Sequence, residues 1–418
     1  MAKGVSITIP LDIPEVRILR VGQTSDGEYL IAVESTRTTT ACRRCGCLLT
    51  EAAGHDAARR VRHLAILGRP VYIEIRPKRF RCPHCPGQPS TTQRLDWYDP
   101  EALHTNAYER HLILTLINST ISDVVAKEDV SYDALLGILD RWVTTTVDWA
   151  KVAPFSVIGI DEIALTKGHR NFVAVITAQT AHGLHVLAIL PDRLKATVSA
   201  WLSALPDARK ARITTVCTDM WEGYTNAVRE ALPEATIVID RFHVARQYRS
   251  AVDAIRKTEI RRLKHALPEA QHEQLNGAMW LVRKKPEELD AEERTRLAWI
   301  LEQSPALNQA YTLQGELTQI FDTARSKADG LRRIGYWRLR VVKSGLCCFD
   351  RFLTLLDSWL DPIANYFIDH HTSSFVEGLN NKLKVLKRRC YGVRKVERLF
   401  QRLTLDVSGY RWFSPWRT

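Results

Sequence analysis

The sequence lacks any apolar stretch long enough to cross a bilayer, and its opening residues, MAKGVSITIP, lack the pattern of a secretory signal. Both absences direct the expectation to the cytoplasm. There is no low-complexity segment and no obvious repeat. Acid is scarce beside base: 47 Asp plus Glu against 59 Lys plus Arg leave a net charge of +12. That balance favours a polyanionic partner without naming a chemistry. Nine cysteines in a cytoplasmic chain do not read as a disulfide framework. At 418 residues the chain has length for more than one core.

Four of the cysteines form two knuckles, Cys42-x2-Cys45 and Cys82-x2-Cys85, the pattern of a tetrahedral zinc site. The 36 residues from Gly46 to Arg81 leave room for a small sheet, and "PVYIEIRP" alternates as a strand does. A module this small has little core, so metal binding would supply folding energy. Cys47 or His84 could replace one ligand, and a redox Cys-x-x-Cys pair is the competing reading. Eight Lys or Arg between Arg59 and Arg81 suggest phosphate contact, with Arg79 and Arg81 as candidates.

Helical periodicity follows in three pieces from Leu112. "ISDVVAKED" is a short helix, and Ser131 caps a longer one with an apolar stripe of Leu135, Ile138, Leu139 and Trp142. A short helix, a tight turn and a longer helix describe a helix-turn-helix, with Lys127, Tyr132 and Arg141 as DNA-contact candidates. Small three-helix packings also occur without DNA.

From Phe155 the texture changes. "FSVIGIDEIAL", "NFVAVITAQ" and "LHVLAILP" are strands, "RLKATVSAWLSAL" a helix, "ARITTVCTD" a strand, "GYTNAVREAL" a helix and "ATIVID" a strand. Three strands followed by αβαβ predict an α/β ribonuclease H-like core. After Asp240 the pattern is helical for roughly 125 residues, and no linker sets it apart, so it reads as a large all-helical insertion. Spaced aromatics such as Trp280, Trp299, Trp337 and Trp359 are expected mostly in its core.

Asp161 lies in the first strand of this core and Asp219 ends the fourth; in such a sheet those strands are neighbours. A third acid is expected from "SSFVEGLNNKLKVLKRRCYGVRK". At 100° per residue, Glu377, Asn381, Lys384 and Arg388 share a face within about 40°, and Val376, Leu379, Leu383 and Leu386 fall opposite. Three carboxylates at ~4 Å and an effective dielectric near 20 repel by about 4 kcal/mol per pair. Divalent metal relieves that cost, and hard oxygen ligands select Mg²⁺ or Mn²⁺. Two such ions suit in-line displacement at phosphorus. The competing reading is that each acid caps a helix or pairs with an Arg.

"IGIDEIALTKGHRNFVAVI", "DMWEGYTNAVREALPEATIVIDRFHV" and "SSFVEGLNNKLKVLKRRCYGVRK" resemble the three blocks of bacterial insertion-sequence DDE transposases of the ISL-three family. The resemblance implies a catalytic triad of Asp161, Asp219 and Glu377 holding two Mg²⁺ (or Mn²⁺), and one Zn²⁺ on Cys42, Cys45, Cys82 and Cys85. It implies cleavage at the ends of a mobile element, joining of the 3′-hydroxyl to target DNA, and action as a dimer or higher oligomer on double-stranded DNA. Lys384, Lys387, Arg388, Arg389, Arg394 and Lys395 are candidates for holding DNA beside the scissile phosphate. Asp240 and His243 form an Asp-x-x-His with a possible accessory role, a helix cap and packed histidine being the plainer reading. Glu162 should face away from Asp161, and Lys167, His169 and Arg170 could touch DNA or simply form a turn.

The expected divisions are 1–100 (N-terminal strands and zinc module), 101–150 (helix-turn-helix), 151–245 (first part of the core), 246–365 (insertion) and 366–418 (C-terminal helices with Glu377). A DNA-binding regulator without catalysis, or a ribonuclease H-like nuclease or resolvase, are the alternatives.

Overall fold

In this computed structural model, residues 8–166, 170–371, 374–390, 392–393 and 395–414 are described, the side chains at 166, 170 and 374–377 lying outside that description. The chain forms two compact units, residues 1–143 with 408–418, and residues 144–407.

The first unit begins with nine strands: β1 (Val16–Gln23), β2 (Tyr29–Ser35), β3 (Thr40–Ala41), β4 (Leu48–Leu49), β5 (Ala52–His55), β6 (Arg59–Ile66), β7 (Arg69–Ile75), β8 (Lys78–Arg81) and β9 (Ser90–Thr92). Four make a sheet in the order β1-β2-β7-β6. The alternation of β7 is observed: Val71, Ile73 and Ile75 are buried against Ile31, Val33, Val61 and Trp97. The β3-β4 hairpin and the β5-β8-β9 sheet carry the cysteine knuckles. Three helices follow, α1 (Asn106–Leu116), α2 (Ile121–Glu128) and α3 (Tyr132–Trp142), with Thr105, Thr120 and Ser131 accepting from the first-turn amides. Leu135, Ile138 and Leu139 are fully buried, as the stripe predicts. A left-handed residue, Asp129, turns the chain from α2 towards α3.

The second unit is built on β10 (Val157–Thr166), β11 (Arg170–Thr180), β12 (Gly183–Leu190), β13 (Thr215–Thr218) and β14 (Thr236–Ile239) in the order β12-β11-β10-β13-β14. β11 is antiparallel to β10 and β12, while β10, β13 and β14 run parallel. Helices α4 (Lys195–Ser203), α5 (Asp207–Lys210) and α6 (Glu222–Ala231) connect β12 to β14. Val198, Leu202, Tyr224 and Val228 from α4 and α6 pack on Ile158, Ile160, Ala174 and Ile176 of one sheet face. Arg209 donates to the carbonyls of Trp149 (3.0 Å), Val152 (2.8 Å) and Ala153 (3.3 Å), so the segment before β10 belongs with this sheet, ahead of the boundary expected at 150.

The helical block comprises α7 (Arg241–Ala266), α8 (His272–Leu275), α9 (Ala278–Arg283), α10 (Ala291–Gln303), α11 (Pro305–Thr323), α12 (Lys327–Ser344), α13 (Asp350–Ala364) and α14 (Tyr366–Asp369). The division expected at 245 falls inside α7, which runs without a break from the end of β14, because no Gly or Pro interrupts its 26 residues. Trp337 is buried and Trp299 and Trp359 pack on the same core, while Trp280 is 62% exposed, so most of the four lie in the core as expected.

Two helices follow, α15 (Ser374–Arg389) in this unit and α16 (Val396–Phe413), whose residues from Ser408 onward belong to the first unit. Leu379, Leu383 and Leu386 are buried against Ile163, Val173 and Val175 on the sheet face opposite α4 and α6. Each such side chain contributes about 1.5–3 kcal/mol. An exposed ion pair contributes about 0–1 kcal/mol, so the apolar stripe decides where α15 lies.

Candidate active site and zinc centre

Register places the acids. Ile160 of β10 lies opposite Thr218 of β13, and Asp161 and Asp219 are the next residues along each parallel strand. Asp161 stays within β10, paired with Val175 of β11, while Asp219 follows the last residue of β13, on strands about 4.8 Å apart. Thr218 in turn lies opposite Ile239, and the Asp240 N–H donates to the Thr218 carbonyl at 2.9 Å. Asp240 is therefore third in the row.

Both Asp161 oxygens are held. Oδ1 accepts the Glu162 N–H at 2.7 Å, and Oδ2 accepts from Asn380 Nδ2 at 2.5 Å. Burial raises the Asp161 carboxyl above its ordinary range, against the Glu162 N–H and the nearby His243 ring. Burial also pushes Asp219 up to about 7; His243 opposes this, and the charges of Asp161 and Glu162 add to it. Asp219 Oδ1 is buried with no hydrogen-bond partner among the described residues. Buried neighbouring carboxylates, one with an oxygen left over, are the donor set a hard divalent cation takes.

A cleft of about 360 Å³ opens beside Asp161, lined by Glu162, Asp240, Phe242, His243, Arg246, Asn380 and Lys384 among others; Asp219 is not part of its lining. Glu162, expected to face away from Asp161, lines the same cleft, and its charge acts on Asp219. Arg193 holds it there with two bonds of 2.8 and 2.9 Å, and stacks on Phe172 and Trp221 at 4.4 and 4.6 Å. Asp240 caps α7, its Oδ1 accepting the Phe242 N–H at 3.0 Å, so the plainer reading of this residue is observed. His243 nevertheless lies close enough to Asp161 and Asp219 to act on both electrostatically.

The basic residues of the C-terminal segment divide. Lys384 and Arg388 are exposed on α15, and Lys395 is exposed ahead of α16. Lys387 donates to the Ala164 carbonyl, and Arg389 pairs with the buried Asp406. Those two cations tie α15 in place, a competing use for side chains expected at DNA. Position 377 lies in the first turn of α15; the Glu377 side chain, Arg394, Lys167 and His169, with the side chain of Arg170, lie outside the described residues. Asn380 and Arg193 escaped the sequence reading. Asn380 sits about 60° round the helix from Glu377, just beyond the face that was singled out. Nothing in the sequence marks Arg193.

In the first unit the sulfurs of Cys42, Cys45, Cys82 and Cys85 all lie within 4.8 Å of one another. Cys42 and Cys85 are 3.9 Å apart and Cys45 and Cys82 3.6 Å. A zinc tetrahedron with Zn–S near 2.3 Å has S···S edges of about 3.8 Å, so these residues fit the ion. The backbone N–H groups of Cys45 and Arg44 lower the Cys42 thiol, favouring the thiolate a metal needs; the neighbouring thiols raise Cys85. Cys47 and His84 are outside the four-sulfur cluster.

Arg79 donates to Ser90 Oγ at 2.5 Å, and Arg81 faces Glu51 at 3.6 Å. Lys127 and Tyr132 are exposed on α2 and α3. Arg141 pairs with the buried Glu109, which also accepts from Trp142 Nε1 at 2.7 Å.

Residues 158–403 match the family model of the DDE transposases of ISL3 type, and residues 38–85 match the zinc-finger of transposases IS204/IS1001/IS1096/IS1165. The first match spans more than half of the chain. The chain belongs to the ISL3 family of DDE transposases. This transposase is 28% identical over 383 residues to the transposase for insertion sequence element IS1001 of Bordetella parapertussis, covering 91% of each chain. It is 27% identical over 424 residues to the transposase for insertion sequence element IS1557 of Mycobacterium tuberculosis, covering 94% of this chain and 91% of that one. The four-cysteine cluster is its zinc ribbon. No described helix of the transposase is long and apolar enough to cross a membrane.

Proposed function

We propose that this transposase binds the terminal inverted repeats of its insertion sequence, cuts the DNA at the element's ends and joins the freed 3′-hydroxyl to target DNA, with Asp161, Asp219 and Glu377 as the catalytic acids. The observation that carries this reading is that Asp161 and Asp219 directly follow the paired residues Ile160 and Thr218 on neighbouring parallel strands, with one buried Asp219 oxygen unpartnered among the described residues. The strand order β12-β11-β10-β13-β14, with β11 antiparallel, supports a ribonuclease H-like core, interrupted by the helical block of α7 to α14. Helical spacing alone sets position 377 one turn before Asn380, whose amide reaches Asp161.

Two reactions use one site. Water attacks the phosphorus at the element's end as the P–O3′ bond breaks, and the departing 3′-oxygen takes up a proton. That 3′-hydroxyl then attacks a target phosphodiester, losing its proton as the target's own 3′-oxygen leaves. Two bound Mg²⁺ or Mn²⁺ would supply activation of the attacking oxygen and charge stabilisation at the leaving one. The protein's part is placement. Asp161 is fixed by Glu162 and Asn380, Asp219 offers its free oxygen, and Lys384 and Arg388 neutralise the DNA backbone. His243 and Asp240 are accessory at the cleft wall. α2 and α3 act as a helix-turn-helix through Lys127, Tyr132 and the exposed part of Arg141, and Arg79, Arg81 and Lys395 add phosphate contacts. Two ends must be joined, so the working form is a dimer or higher oligomer on DNA in the bacterial cytoplasm, nucleoid-associated when bound.

The test is incubation of purified protein and Mg²⁺ with DNA bearing the inverted repeats and a target plasmid. Joined products are expected. Cleavage without joining would assign a nuclease, and specific binding without nicking a regulator; either result replaces the proposal.

A further inference from the structure

We infer that Asn380 is a positioning residue of the divalent-cation site. This rests on the proposed two-acid site and extends it to a neutral side chain. Three observations converge. Asn380 Nδ2 donates to Asp161 Oδ2 at 2.5 Å, so with the Glu162 N–H on Oδ1 the carboxylate is restrained at both ends. Asn380 lines the same cleft as Asp161, Asp240 and His243. Its own Oδ1 is buried with no hydrogen-bond partner among the described residues, as is Asp219 Oδ1.

The amide orientation is set by its neighbour. Turning it over would bring the amide oxygen against the Asp161 carboxylate and forfeit the hydrogen bond. A buried amide oxygen left unpaired costs about 1–3 kcal/mol. A hydrophobic residue at 380 would avoid that cost but would withdraw the donor from Asp161. An asparagine earns its place where the NH₂ group must hold a carboxylate ligand in one rotamer and the oxygen meets a cation or its hydration shell. Residues that orient a ligand in this way typically change metal affinity by about 10–100-fold when removed.

The experiment measures Mn²⁺ binding to the full zinc-loaded chain by electron paramagnetic resonance, without DNA. Asn380→Ala is expected to weaken Mn²⁺ binding by about 10–100-fold, with the melting temperature and binding of the terminal-repeat DNA without added Mg²⁺ or Mn²⁺ unchanged. Asn380→Leu, similar in volume and without a donor, should give the same loss and serves if the alanine variant proves unstable. In the Asp161→Asn background, removing Asn380 should change affinity less than twofold more, because its action runs through Asp161. Wild-type affinity in both Asn380 variants overturns this inference alone, provided that Asp161→Asn and Asp219→Asn do weaken binding. If those acid variants also bind Mn²⁺ as the wild type does, the acid site itself is wrong and the inference falls with it.

Discussion

The ammonium of Lys387 donates to the carbonyl oxygen of Ala164, tying the helix that carries position 377 to the strand that carries Asp161. The link joins two segments more than two hundred residues apart in sequence, three residues beyond Asp161 on one side and ten beyond Glu377 on the other. Burial lowers the Lys387 ammonium from its ordinary range, as expected for a cation drawn away from water.

Lys387 and Lys384 should therefore respond differently. Lys387→Met, which keeps the alkyl stem, is expected to cost about 1 kcal/mol of stability, because it removes a donor from the part-buried Ala164 carbonyl. It should leave the salt dependence of DNA binding unaltered. Lys384→Ala should leave stability unchanged and reduce the slope of log K against log salt by about one. Urea melts and salt titrations of DNA binding separate the two.

Asp219→Asn and Glu377→Gln are expected to lower end cleavage and joining by at least about a thousandfold while terminal-repeat binding persists. Removal of a group that acts only in the transition state costs k rather than affinity. Cleavage kinetics beside a gel-shift series check this, and substantial activity in either variant would remove that acid from the site.

The raised Asp219 carboxyl makes the metal-free protein sensitive to pH. Its folded value is about 7 against an ordinary 3.8, so the native state binds more protons than the unfolded chain between about pH 4 and 7. Stability from this group is highest below that window and declines as pH rises through it. In zinc-loaded protein kept free of Mg²⁺ and Mn²⁺, Asp219→Asn should melt a few degrees above the wild type at pH 8, and the gap should shrink at pH 5. Added Mg²⁺ should raise the wild-type melting temperature at pH 8 and leave the variant unmoved, by the mass action of a ligand on the native state.

In the zinc ribbon, Cys42→Ser or Cys85→Ser should abolish the binding of about one zinc per chain and unfold the β5-β8-β9 module, since closing a four-thiolate site supplies folding energy. Cys47→Ser should retain the metal, because Cys47 is outside the cluster. Metal analysis and thiol titration of the three variants give the answer.

Local chemistry could be read from the chain itself. The two Cys-x-x-Cys knuckles, the Ser131 cap, the alternation in β7 and the apolar stripe of α15 each depend on residues within a few positions of one another, where spacing determines geometry. The order of strands and helices likewise indicated that the strands carrying Asp161 and preceding Asp219 are neighbours, and β10 does pair with β13. What folding alone decided is which side chains from distant segments meet. Arg193 reaching Glu162, Asn380 clamping Asp161, and Lys387 and Arg389 being spent on Ala164 and Asp406 follow from how sheet and helices pack, and a hydrogen bond across that packing leaves no periodic trace along the chain. Charge in the sequence shows where cations are abundant; only the fold shows which of them are already bound to a partner.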